Sequence, residues 1–66
     1  MHENVFLMER LKTGLTQTEI CKKINISQPT LSQLENDVYF GKYNFYIIKK
    51  LCELYRLDIN KIPIGG

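Results

Sequence analysis

The sequence predicts an all-α fold: a compact domain of four helices and a short fifth. Three observations predict it. Apolar residues recur at helical spacing, most clearly Ile20 and Ile24, and then Ile47, Ile48, Leu51, Leu54 and Tyr55. Capping residues stand where these runs begin and end. Two short helical runs inside Leu15–Asn36, LTQTEICKKINISQPTLSQLEN, are separated by only a tight turn, the layout of a helix-turn-helix.

The first helix is expected from about Glu3 or Asn4 to Thr13, with Phe6, Leu7, Arg10 and Leu11 on one face and Gly14 as the C′ residue. Val5 and Met8 lie off that face, within reach of the C-terminal segment. Arg10 is out of place on an apolar stripe. Taken alone it is a side chain that snorkels to the rim of the core. The second helix is expected over about Gln17–Ile24. Thr16 is its N-cap and Glu19, three residues on, completes a capping box. Asn25 ends it, because Asn tolerates the left-handed conformation of a tight turn. Ile26 plugs the turn into the core.

Ser27 caps a third helix over about Gln28–Asn36. Pro29 lies in its first turn, where no intrahelical hydrogen bond is lost. Leu31 and Leu34 face inward, leaving Gln28, Thr30, Ser32 and Gln33 outside. That outer face is polar, short-chained and uncharged. It has two readings: an ordinary solvated face, or one suited to hydrogen bonding with base edges, since Gln both donates and accepts.

A loop, DVYFGKYN, spans Asp37–Asn44. Five aromatics fall within eight residues: Tyr39, Phe40, Tyr43, Phe45 and Tyr46. Two or three of them packing on a small core is one reading. An interaction surface centred on Tyr39, Phe40 and Tyr43 is the other. Asn44 caps a fourth helix to about Tyr55, whose other side carries Lys49, Lys50, Glu53 and Arg56. Asp58 caps a last short turn, Ile59 to Ile62. Residues 63–66 are expected to fray. The predicted core is Leu11, Leu15, Ile20, Ile24, Leu31, Leu34, Ile48, Leu51 and Leu54.

The residues Gly14-Leu15-Thr16-Gln17, Glu19-Ile20-Cys21, Ile26-Ser27-Gln28 and Leu31-Ser32-Gln33-Leu34-Glu35-Asn36 resemble the Xre family of phage and bacterial repressors, which includes the lambdoid repressors and Cro. The resemblance runs from about Phe6 to Ile62. Cys21 stands where the family usually has Ala, and Asn25 where it usually has Gly. Both replacements are physically mild. Asp37 and the aromatic loop, which is a few residues longer here, depart further.

The resemblance implies a lambda repressor-like DNA-binding fold with the third helix in the major groove of double-stranded DNA and the second across the backbone. It implies base reading by Gln28, Thr30 and Gln33. Pro29 matches a position that often meets a base, and offers only apolar contact. Gln17 and Asn36 would contact phosphate, and Lys42 is a further phosphate candidate. It also implies an ion pair between Arg10 and Glu35.

Sixty-six residues allow one small domain, with the helix-turn-helix at 16–36. Such a size calls for a homodimer on an inverted-repeat operator, with the aromatic loop and Leu57–Ile64 as interface candidates. The formal charge is +2. Residues 1–24 carry four Lys/Arg against three Asp/Glu, residues 25–37 carry only Glu35 and Asp37, and residues 38–66 carry five against two. Basicity thus lies outside the expected reading helix, although phosphate contacts normally supply most affinity. A second function class therefore stays open: a protein-binding adaptor or anti-repressor that uses the aromatic loop.

Cys21 and Cys52 lie far apart without metal-ligand spacing and read as buried reduced thiols. No cofactor or metal is expected. There is no nucleophile–base pair, and His2 is the lone histidine, which argues against an enzyme. No apolar run is long enough to span a membrane and the N-terminus lacks a signal-peptide layout, so a cytoplasmic protein is expected.

Overall fold

The computed structural model describes residues 4–63. It contains α1 (Val5–Thr13), α2 (Gln17–Ile24), α3 (Gln28–Leu34), α4 (Phe45–Tyr55) and a 3₁₀ turn (Ile59–Lys61). Each helix starts on a side chain that accepts from its first turn: Asn4 from Leu7 N, Thr16 from Glu19 N, Ser27 from Thr30 N and Asn44 from Tyr46 N. At Thr16 the capping box is complete, and the hydrogen bonds from Thr16 hold the Glu19 carboxyl below its usual range. Asp58 caps the 3₁₀ turn in the same way.

The helix ends depend on left-handed residues. Gly14 has φ +76, and Asn25 has φ 58, as a tight turn between two helices needs. Arg56 ends α4 with φ 57, and Leu57 N reaches back to Cys52 O at 2.8 Å, which closes the last turn. α3 stops at Leu34, two residues before the expected Asn36. Beyond it the Asn36 and Asp37 amides take carbonyls three residues back, so the chain tightens out of the α-helix.

α3 packs on α2, while α1 and α2 both pack on α4. The buried apolar core is Phe6, Ile20, Cys21, Ile24, Leu31, Leu34, Phe40, Ile48, Leu51, Cys52, Tyr55 and Ile62. Leu15 and Leu54, expected inside, are half-buried against it. Leu11 is not a core residue: it is 64% exposed. The inner face of α1 is set by Phe6 and Arg10, and Leu11 lies about 100° around the helix from Arg10 and about 140° from Phe6. Met8 is exposed, whereas Val5 packs on the core. Phe40, an interface candidate by sequence, packs inward instead. It is 2% exposed and meets Phe6 edge-on, centroids 4.9 Å apart, so it is a core residue and not part of an interaction surface. Both cysteines are buried free thiols. Of residues 63–66, expected to fray, Pro63 is described and its carbonyl accepts from Phe40 N at 3.0 Å; the rest of that stretch, the His2 position and a helix start at Glu3 fall outside the described residues.

Asn4 does more than cap α1. It is 4% exposed, and its Nδ2 donates to Leu34 O at 2.8 Å and to Asp37 O at 2.9 Å. One side chain thereby closes the start of α1 and satisfies two carbonyls at the end of α3. Asn4→Ala should lower stability by about 2–4 kcal/mol, because a cap is lost together with the two hydrogen bonds from Nδ2 that tie α1 to the end of α3. Asn4→Asp keeps the cap but sets a carboxylate against two carbonyl oxygens, so it should not rescue the loss. Urea midpoints of the three proteins check this. A midpoint for Asn4→Asp equal to wild type would contradict the role of Nδ2.

Candidate nucleic-acid interface

The side chains expected to meet DNA project mainly from α3 and the start of α2. Ser27 and Pro29 set the start of α3: the Ser27 hydroxyl accepts from Thr30 N, and the proline in the first turn forfeits no helical hydrogen bond. Leu31 and Leu34 are fully buried, so the opposite side faces outward. Gln28, Pro29 and Gln33 are exposed there, while Thr30 and Ser32 are half-buried. α3 carries no charged side chain.

Several expected contacts are already engaged within the protein. The Thr30 hydroxyl lies 2.6 Å from that of Ser27, so part of its hydrogen-bonding capacity serves the cap. Asn36 Nδ2 donates to Ser32 O at 2.8 Å and ties down the end of α3. Lys42 Nζ pairs with Asp37 Oδ2 at 2.9 Å and lies over the Tyr43 ring. The Tyr43 hydroxyl donates to the same Asp37 oxygen at 2.5 Å, which leaves Tyr43 half-buried. Of the three aromatics singled out as an interface, only Tyr39 is open, at 57% exposure. Val38, Phe45 and Tyr46 are exposed with it.

Behind this surface lies a polar cluster. Arg10 Nε donates to Glu35 Oε2 at 2.8 Å and Nη2 to Oε1 at 3.0 Å, a bidentate pair. Arg10 Nη1 donates to Leu15 O at 3.1 Å, in the connection between α1 and α2. Gln17 Nε2 donates to Glu35 Oε1 at 2.9 Å. The hydrogen bond to Glu35 raises the Arg10 pKa above its ordinary value. The Gln17 and Asn4 contacts were not legible in sequence: Gln17 matches a surface position, and a short polar residue at a helix start signals a cap but not its second partner.

Tyr55 is buried nearby, and its hydroxyl has no hydrogen-bond partner among the described residues. Burial first, then the Glu35 charge, pushes its pKa up to about 12. Burial and Asp37 push Tyr43 up to about 12 as well. Among the described residues no group of three His, Cys, Asp or Glu is placed to hold a metal ion, and no helix is long and apolar enough to cross a membrane.

A family model described as helix-turn-helix matches residues 7–62. No curated protein matches the chain, and no solved structure does.

Two outcomes follow from this geometry. The side chains of Arg10 and Glu35 are 14% and 2% exposed, so Arg10→Met should cost about 3–5 kcal/mol by leaving a buried carboxylate unpaired. Arg10→Met with Glu35→Leu should recover much of that loss in urea titrations. A negligible midpoint shift for Arg10→Met would contradict the pair's importance. The second concerns alkali. Tyrosines in the unfolded chain ionise near their ordinary value of 10, before Tyr43 and Tyr55 do in the folded one. Stability is therefore full below pH ~10 and falls as pH rises through ~12. Tyr55→Phe should leave the neutral-pH midpoint nearly unchanged, because that hydroxyl has no partner to lose, and should shrink the alkaline loss. An unchanged alkaline loss would contradict the assignment to Tyr55.

Proposed function

This chain belongs to the Xre-type helix-turn-helix family, and on that premise we propose that it is a sequence-specific DNA-binding transcriptional regulator, a repressor of phage or mobile-element type. Family members are typically DNA-binding regulators. The observation that carries the reading is the exposed face of α3: two glutamines and a proline, no charge, at a helix whose inner side is locked into the core. A face evolved only for solubility would carry Lys and Glu. Primary amides are the groups that match adenine bidentately in the major groove.

In this reading the mechanism is steric. α3 enters the major groove, α2 crosses the backbone, and occupancy blocks or recruits polymerase. Gln28 and Gln33 are five positions apart, which places them about 140° apart around the helix. They do not both point at one base. With the N-terminus of α3 aimed into the groove, Gln28 at the tip meets adenine N6 and N7, and Gln33 on the flank meets a neighbouring pair. Pro29 offers apolar contact to a thymine methyl, and Thr30 shares its hydroxyl between Ser27 and a base. Gln17, Asn36 and Lys42 serve the phosphates.

One such helix covers few base pairs, so the protein acts as a homodimer on an inverted repeat with half-sites about 34 Å apart. The exposed Val38, Tyr39, Phe45 and Tyr46 are its candidate surface. The loop and the C-terminal segment, the two stretches expected at an interface, are joined by Phe40 N donating to Pro63 O at 3.0 Å. Those same exposed aromatics, with the low net charge, favour a second reading as a protein-binding adaptor or anti-repressor.

Selection from random duplexes separates the two. Wild type should enrich one inverted-repeat sequence. Gln28→Ala and Gln33→Ala should each lose about 1–3 kcal/mol at one base position and relax preference there. Gln17→Ala should weaken all sequences alike. Uniform losses for the first two would remove α3 as the reader. Folded proteins that select nothing would favour the protein-binding reading.

A further inference from the structure

We propose that Glu35, though buried, is a positioning residue for DNA binding, because it fixes the amide of Gln17. The proposal rests on the DNA-binding reading. Glu35 is 3% exposed and lies just after α3, while Gln17 is the first residue of α2. Three N–H donors reach the Glu35 carboxylate: Arg10 Nε on Oε2, and Arg10 Nη2 and Gln17 Nε2 on Oε1.

A carboxylate only accepts. Gln17 therefore meets it with nitrogen, since a flipped amide would set Oε1 against a negative oxygen. A glutamine free in solvent turns either its donor or its acceptor toward a phosphate, and only the donor binds. Here one N–H of Nε2 is committed to Glu35 and the other stays available on the same, fixed nitrogen. The side chain is also half-buried, so little rotamer freedom is left to lose on binding. The neighbouring backbone is held in step. Arg10 Nη1 grips Leu15 O, and the capping box fixes the Thr16 and Glu19 amides. Arg10 thus acts on the same phosphate-facing corner through Glu35.

This role has a sign that a plain charge effect lacks. Glu35→Gln removes a negative charge from a protein facing a polyanion, which by itself strengthens binding. Loss of the Gln17 anchor weakens it.

The test is a double-mutant cycle on the duplex selected by wild type, using wild type, Gln17→Ala, Glu35→Gln and the pair, all checked for folding by circular dichroism. Gln17→Ala should weaken binding about tenfold, the scale of one hydrogen bond to a charged group. Glu35→Gln should weaken it several-fold in the wild-type background and not at all in the Gln17→Ala background. Equal losses in both backgrounds, or a gain in both, would overturn the positioning role alone. If wild type binds no duplex, the DNA-binding reading fails and this role with it. Should Glu35→Gln not fold, the deciding measurement is hydrogen exchange of the Gln17 side-chain amide in wild type, free and bound to the duplex. One slowed N–H is expected in the free protein and two in the complex, and exchange of both at the rate of free glutamine in the free protein would overturn the proposal.

Discussion

A buried carboxylate sets the terms for this fold. Glu35 has given up nearly all contact with water, a cost of several kcal/mol that only close, well-aligned donors offset. Arg10 supplies two of them and Gln17 a third. The two donor residues come from different places in the chain, so their convergence on Glu35 fixes α1, the start of α2 and the end of α3 relative to one another. The same arginine takes the Leu15 carbonyl, which holds the connection between α1 and α2. Loss of Arg10 or of Glu35 leaves the other as an unpaired charge in a largely desolvated site.

Asn4 and Glu35 are the two buried polar residues among those described, and both act at one place. Asn4 binds the Leu34 and Asp37 carbonyls, and Glu35 follows Leu34 directly. The C-terminal end of α3 is therefore tied to α1 by polar side chains, whereas its apolar side is buried against the core through Leu31 and Leu34. The opposite end of α3, with Gln28 and Pro29, stays exposed. A helix gripped at its rear and bare at its tip is well suited to present that tip to a groove. In a chain this short the hydrophobic core alone leaves a narrow margin, and polar contacts of this kind specify which packing is adopted. Around them the Phe6–Phe40 edge contact fills the space between α1 and the loop that follows α3.

What was legible in sequence is what depends on near neighbours. Thr16 with Glu19, Ser27 before Pro29, Asn44 and Asp58 each act within three residues, and all cap where they were expected to. The Gly14 and Asn25 turns are local in the same sense. The apolar stripe of α4 is dense enough to fix its buried side. α1 is shorter and its apolar residues cover a wide arc, so spacing did not decide between Phe6 and Leu11. The decision came from Phe40, a residue distant in sequence, and no local pattern reveals that partner. The same holds for the candidate site. The exposed polar face of α3 is periodic and could be read, but the hydrogen bond from Gln17 to Glu35 spans 18 positions and appears only when the helices are assembled. The ion pair was reached through family resemblance and not through spacing, since an arginine on a helix face fits a rim as well as a core.

The most direct measurement is the structure of the chain bound to a short duplex carrying the sequence it selects. The tip of α3 is expected in the major groove, with the Gln28 amide on a base edge. The Glu35 carboxylate is expected to stay in contact with both Arg10 and Gln17, with Gln17 also on a phosphate. A complex in which another surface meets the DNA, or in which Gln17 reaches a phosphate only after leaving Glu35, would contradict this arrangement.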